Sequence, residues 1–292
     1  MSAPALIALA HGSRDPRSAR TVRDIVAITK RLRPDLTIEV AFLDHVRPDI
    51  DTVVERLVAK RRHSEFVVVP LLLTSAYHAQ VDVPHVVRRV AVERPDVSAR
   101  IADVIGTDAA LLAVLDERLR EVLKLARVRE LDALVLASAG SSDARANASV
   151  SRLARLWGTR HRLPTSVAFA SAAPPSTGEA VREWRRQGRR HVAVGSLFIA
   201  PGLLPDRAAE LAAEAGCGRR VGPVGRSSRA WTVDVGSLLG RRPSVGRHPR
   251  LTRARVADQL SWPRCVASHP RHRSLLAATA DRALSVAHAA VW

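Results

Sequence analysis

The feature that most constrains this chain is its own repetition. Residues 5–15 (ALIALAHGSRD) align without gaps on residues 133–143 (ALVLASAGSSD), at an offset of 128. Val40-Ala41-Phe42 then matches Val167-Ala168-Phe169 at an offset of 127, and the apolar run Phe66–Leu73 matches Val192–Ile199 at 126. A period of this length is far above the roughly 20–50 residues of a solenoid unit, so it marks one domain duplicated in tandem. The boundary falls near residues 126–131.

Each half alternates short apolar runs with amphipathic stretches. Residues 5–10 are continuously apolar and stop at His11-Gly12-Ser13, as a strand buried on both faces stops in a loop. Residues 17–32 carry Val22, Ile25, Val26, Ile28 and Leu32 near helical spacing, and Pro34 ends that pattern. Thr37–Leu43 and Glu65–Leu73 read as further strands with a helix, Ile50–Lys60, between them. Helices over Val81–Val92 and Ala109–Ala126 follow, with a strand over Ala99–Ile105. This βαβ order predicts the α/β class, a parallel sheet with helices on both faces in each half.

With 292 residues, 47% hydrophobic and 25% charged, the chain has material for two such domains. It has no apolar stretch approaching the roughly 18 residues of a membrane span, and the start Met1-Ser2-Ala3-Pro4 lacks the basic n-region of a signal peptide, so the cytoplasm is the expected location. Cys217 and Cys265 form no CxxC pair and no disulfide framework. The formal charge of +18 is unevenly placed: residues 219–292 hold 14 Arg and 3 Asp, a net +11. Aromatics are 3%, and no basic stripe is interleaved with them as a stacking platform, which argues against nucleic acid. From about 219 the sequence is Arg-rich with no sustained apolar period before 274–291. Its composition fits either a disordered basic extension or an out-of-frame reading of a GC-rich gene.

In a doubly wound sheet, ligands bind outside the carboxyl ends of the strands. Three polar side chains reach that edge in the first half: His11 after the first strand, Asp44 after the second and His78 after the third. Two imidazoles and a carboxylate suit a borderline divalent metal, and neutral imidazole accepts protons near neutral pH. The second half has Ala139, Ser171 and Leu204 at the matching places while it keeps Gly140, Ser141 and Asp143. Gly12, Ser13 and Asp15 are therefore expected to build the turn and cap the helix. Arg14 faces Ser142 and is free of that duty, so its guanidinium is expected to hold substrate carboxylates. His45 and His85 are weaker candidates, and His248, His269, His272 and His288 lack paired ligand spacing.

The motif Ala10-His11-Gly12-Ser13-Arg14-Asp15, the segment Ala41-Phe42-Leu43-Asp44 with Pro48 nearby, and Pro70-Leu71-Leu72-Leu73 followed by Tyr77-His78 resemble the sirohydrochlorin chelatases of the class II chelatase superfamily. The resemblance covers about residues 5–216. It implies two tandem chelatase-like domains, residues 1–127 and 128–220, before the Arg-rich segment 221–292. It implies insertion of Co²⁺ or Fe²⁺ into sirohydrochlorin, toward cobalamin or sirohaem, with the metal as substrate and no organic cofactor. His11 and His78 would bind the metal and help remove pyrrole protons, and Asp44 would take the place of the usual Glu, one methylene shorter. Ser13, Arg14 and Ala76 would contact the polycarboxylate macrocycle, whereas Leu72 and Leu73 are expected in the core. Two other readings stand beside this one. A metal or tetrapyrrole carrier would need the same two histidines. A phosphoryl-transfer enzyme with His11 as nucleophile would want an Arg before it and finds Ala10.

Overall fold

The computed structural model describes residues 3–61, 63–74, 78–126, 128, 130–216 and 231–234. It contains two four-stranded parallel sheets built to one plan. The first has the order β2-β1-β3-β4, from β1 (Ala5–Ala10), β2 (Ile38–Phe42), β3 (Glu65–Pro70) and β4 (Ser98–Ile101). The second has the order β6-β5-β7-β8, from β5 (Ala133–Ser138), β6 (Thr165–Phe169), β7 (Val192–Ser196) and β8 (Trp231–Asp234). Register repeats as well: Leu6 faces Ile38 and Ala5 faces Phe66 in the first sheet, and Leu134 faces Thr165 and Ala133 faces Val192 in the second. These pairs are related by the same offsets that align the sequence.

The central strands are almost continuously apolar because both faces are covered, and all six residues of β1 and of β5, Ser138 included, are buried. Successive side chains point to opposite faces. In the first sheet Ala5, Ile7 and Leu9 meet Val53, Val54 and Leu57 of α2 (Ile50–Arg61) and Val83, Val87 and Val90 of α3 (Val83–Glu93). Leu6 and Ala8 meet Val26 of α1 (Pro16–Leu32) on the other face. The second sheet repeats this, with Ala133, Val135 and Ala137 against α6 (Thr177–Arg186) and α7 (Leu203–Gly216), and Leu134 and Leu136 against α5 (Ala144–His161). The α/β architecture predicted from the alternating pattern is the one observed.

Two elements depart from the sequence expectation. The helix α4 (Ala110–Ala126) follows the first half, yet Leu111, Leu112, Leu115 and Leu119 fill the core between the second sheet and α5. Its apolar period reveals a buried face but not which sheet receives it. Asp116 of α4, fully buried, accepts hydrogen bonds from Trp157 Nε1 at 2.9 Å and from His161 Nε2 at 2.6 Å, both on α5. Gly195 in β7 leaves room for the same indole, since a Cβ there would lie 2.7 Å from the Trp157 ring. The second departure is β8, which pairs in parallel with β7 from inside the segment read as a tail. The second sheet thus runs past residue 220; the sequence did not reveal it, since four residues flanked by Arg, Gly and Ser carry no periodic signal. The other readings of 221–292, and Cys265 and the histidines there, lie outside the described residues, as does Cys217.

The two halves touch at named points. Leu73 of the first packs against the core of the second, and Ala200 of the second packs against Ala10, Ala19, Val22 and Phe42 of the first. Arg17 of α1 pairs with Asp206 of α7. Among the described residues no helix is long and apolar enough to cross a membrane.

Candidate functional site

The site begins where β1 ends. His11 is half-buried, and the chain turns at Gly12, whose φ of +93° is ordinary only for glycine. A Cβ at Gly12 would lie 1.9 Å from the backbone oxygen of Asp44, so the turn is pressed against the neighbouring strand exit. The Asp44 N–H donates to the His11 carbonyl at 2.9 Å, which fixes the two loops edge to edge. Ser13 Oγ accepts from the Asp15 N–H at 3.1 Å, and Asp15 caps α1 by accepting from the Arg17 N–H at 2.8 Å. The Arg17 side chain also holds the Asp15 carboxyl below the usual carboxylate range, helped by that backbone bond. Ser13 Oγ thus helps to build the turn as an acceptor. Arg14 is exposed beside it.

Asp44 follows β2 and is largely exposed, its side chain 62% accessible. One carboxylate oxygen accepts the N–H of His45 at 2.7 Å, and the other lies 3.4 Å from His45 Nε2. His45 has a φ of +62° and is the centre of a tight turn closed by the Val46 N–H donating to the Asp44 carbonyl at 2.8 Å. The turn brings the His45 ring back to the Asp44 carboxylate.

The third strand leaves beside the first, with the Leu71 N–H donating to the Leu9 carbonyl at 2.8 Å. Leu72 packs on the first core and Leu73 on the second. Ala76 lies outside the described residues. His78 enters as the first residue of a π-helical turn, His78–Asp82, that runs into α3. Such turns are rare and recur at functional sites. His85 stands exposed on α3. In the order β2-β1-β3-β4 the chain reverses direction across the sheet beside β1, so His11 lies at the switch point where ligands of open α/β sheets collect. The sheet places the exits carrying Asp44, His11 and the approach to His78 side by side in that order. Among the described residues no group of three or more His, Cys, Asp or Glu is arranged to hold a metal.

The second half shows what the scaffold alone requires. Gly140 has a φ of +84°, and a Cβ there would lie 2.0 Å from the Ser171 oxygen. The Ser171 N–H donates to the Ala139 carbonyl at 2.9 Å, Ser141 Oγ accepts from the Asp143 N–H at 3.0 Å, and Asp143 caps α5. Ala172 repeats the His45 turn with a φ of +61°. Every backbone feature of the first loop system is present, with Ala139 in place of His11 and Ser171 in place of Asp44. The contact between Asp44 and His45 is the part that sequence reasoning missed, because adjacent residues on a strand usually point apart.

The CbiX family model matches residues 5–122 and again 133–253. A sirohydrochlorin cobaltochelatase of Priestia megaterium is 26% identical over 204 residues, 69% of this chain and 66% of that protein. This chain therefore spans about two thirds of the length of that relative. A sirohydrochlorin ferrochelatase of the same organism is 27% identical over 210 residues, covering 70% of this chain and 77% of its own. Among solved structures, SirB from Bacillus subtilis with Fe3+ shares the fold, with a TM-score of 0.68, 20% identity, and coverage of 97% of this chain and 95% of that one.

Proposed function

Because the chain belongs to the CbiX family, we propose that it inserts a divalent metal, Co²⁺ or Fe²⁺, into sirohydrochlorin. The observation that carries this reading is the contrast between the halves. Both keep the glycine turn, the serine and the aspartate cap, and the first half alone keeps His11 and Asp44 on them, with His78 at the third exit. Imidazoles that the scaffold does not need are retained for chemistry.

A free macrocycle must lose two N–H protons as the metal enters, and the metal must shed part of its water. His11 and His78 are assigned both tasks: each neutral imidazole ligates the incoming ion or accepts a pyrrole proton. Asp44 assists by stabilising the cationic imidazole or the arriving metal. Holding base and metal at one face of a bound ring lowers the barrier through position. Arg14, exposed on the same loop, takes a peripheral carboxylate of the substrate as a fork of donors, and Ala76 is assigned to the ring wall.

The test is the loss of metal-free sirohydrochlorin absorbance under anaerobic conditions with protein at catalytic concentration. Many turnovers per chain with Co²⁺ or Fe²⁺ are expected, abolished by His11→Ala and by His78→Ala and untouched by substitution of Ala139 or Leu204. Conversion that stops at one equivalent would make the chain a carrier. Full turnover by both histidine variants would remove the site.

A further inference from the structure

Asp44 is largely exposed, and a short carboxylate in water samples several rotamers. Here both of its oxygens are engaged by one neighbour: the backbone N–H of His45 at 2.7 Å on one and Nε2 of the same residue at 3.4 Å from the other. The turn centred on His45 makes this geometry, since a φ of +62° folds the ring back along the preceding side chain. The turn does not need the ring. Ala172 sits in the same conformation in the second half, φ +61°, with the Ala173 N–H on the Ser171 carbonyl at 2.8 Å just as Val46 bonds Asp44 at 2.8 Å. Ser171, where no imidazole follows, donates its hydroxyl to the Ala139 carbonyl at 3.0 Å.

We propose that His45 is a positioning residue, which holds the Asp44 carboxylate at the strand edge beside His11. This rests on the reading of Asp44 as the assisting carboxylate. It also accounts for how an Asp serves where the resemblance implies a longer Glu: the side chain's freedom is removed by a neighbour.

The second half makes His45→Ala a clean variant, because alanine already occupies that backbone conformation at position 172. Metal insertion is measured for His45→Ala, His45→Gln, Asp44→Asn and the double variant His45→Ala/Asp44→Asn, with thermal unfolding as a check on each. The expected result is a kcat lowered about tenfold by His45→Ala, an unchanged KM for sirohydrochlorin, and partial recovery in His45→Gln, whose polar amide stands in for the ring nitrogen. The double variant is expected to be no slower than Asp44→Asn alone, as for two residues acting through one group. A wild-type kcat in His45→Ala beside a slow Asp44→Asn would overturn the positioning role and leave Asp44 in the mechanism. Additive losses would overturn it too, since His45 would then act by itself. An Asp44→Asn variant as fast as wild type would instead remove the carboxylate reading on which the proposal stands.

Discussion

Arg17, in the first turn of α1, pairs with Asp206, in the first turn of α7, and so ties the helix that follows the His11 loop to the helix that follows the third strand of the second sheet. Both side chains are about half exposed, Arg17 also binds Asp15, and an ion pair in such a setting is screened by water and salt. The two halves are expected to be held instead by the apolar contacts of Leu73 and Ala200. Asp206→Ala should leave the urea midpoint essentially where it is. Leu73→Ala should lower stability by about 1–2 kcal/mol, the value of a half-buried leucine side chain. Denaturant unfolding of the two variants side by side decides the order.

The glycine turns make a matched pair of tests. Gly12→Ala and Gly140→Ala each place a Cβ against a backbone oxygen, 1.9 Å from Asp44 and 2.0 Å from Ser171, in a positive-φ conformation. Neither oxygen is a flexible side-chain tip that can swing aside. Each substitution is expected to cost about 2–4 kcal/mol, from strain and overpacking together. Their consequences for chemistry should differ. At a temperature where both variants are folded, Gly12→Ala shifts His11 and Asp44 and should lose metal insertion, whereas Gly140→Ala should keep it. Equal retention would dissociate the first turn from the site.

Ala172 is the place where the second domain carries backbone cost without return. An alanine at φ +61° forgoes about 1–2 kcal/mol relative to the right-handed region; glycine relieves that strain, but its greater freedom when unfolded offsets about 0.5–1 kcal/mol of the gain. Ala172→Gly is therefore expected to stabilise the protein by about 0.5–1 kcal/mol, seen as a raised Tm with no change in turnover. A lowered Tm would mean that the alanine methyl does more than the turn requires.

Much of this was legible in the residues, for identifiable reasons. β1 and β5 announce themselves because a strand buried on both faces is apolar along nearly its whole length. The duplication was readable because identical turns demand identical glycines, serines and caps, so Gly12, Ser13 and Asp15 recur as Gly140, Ser141 and Asp143. His11 and Asp44 stood out against the positions that lack them. What stayed hidden depends on relations that no local pattern carries. The apolar face of α4 looks the same whichever sheet it covers. Asp116 meets Trp157 and His161 across 41 and 45 residues of chain. β8 is four residues long, and the return of the His45 ring depends on one φ angle.

That buried trio gives the protein its clearest acid sensitivity. Burial by itself would raise the Asp116 carboxyl, but the hydrogen bond and charge of His161, the Trp157 N–H and the charge of Arg160 outweigh it and hold the group below its ordinary range. The folded state therefore keeps Asp116 ionised at a pH where the unfolded chain has begun to protonate it. Since stability rises with pH wherever the unfolded state binds more protons, this contribution is complete at neutral pH. It is lost as pH falls below the usual carboxylate range and through the lower folded value. Urea unfolding at neutral and at acid pH should show the wild type losing more stability than Asp116→Asn over that interval. The variant keeps the acceptor for the Trp157 N–H and removes only the charge, so it should start lower at neutral pH, with α4 loosened from α5. A wild type and variant with parallel acid profiles would place the acid sensitivity on other carboxylates.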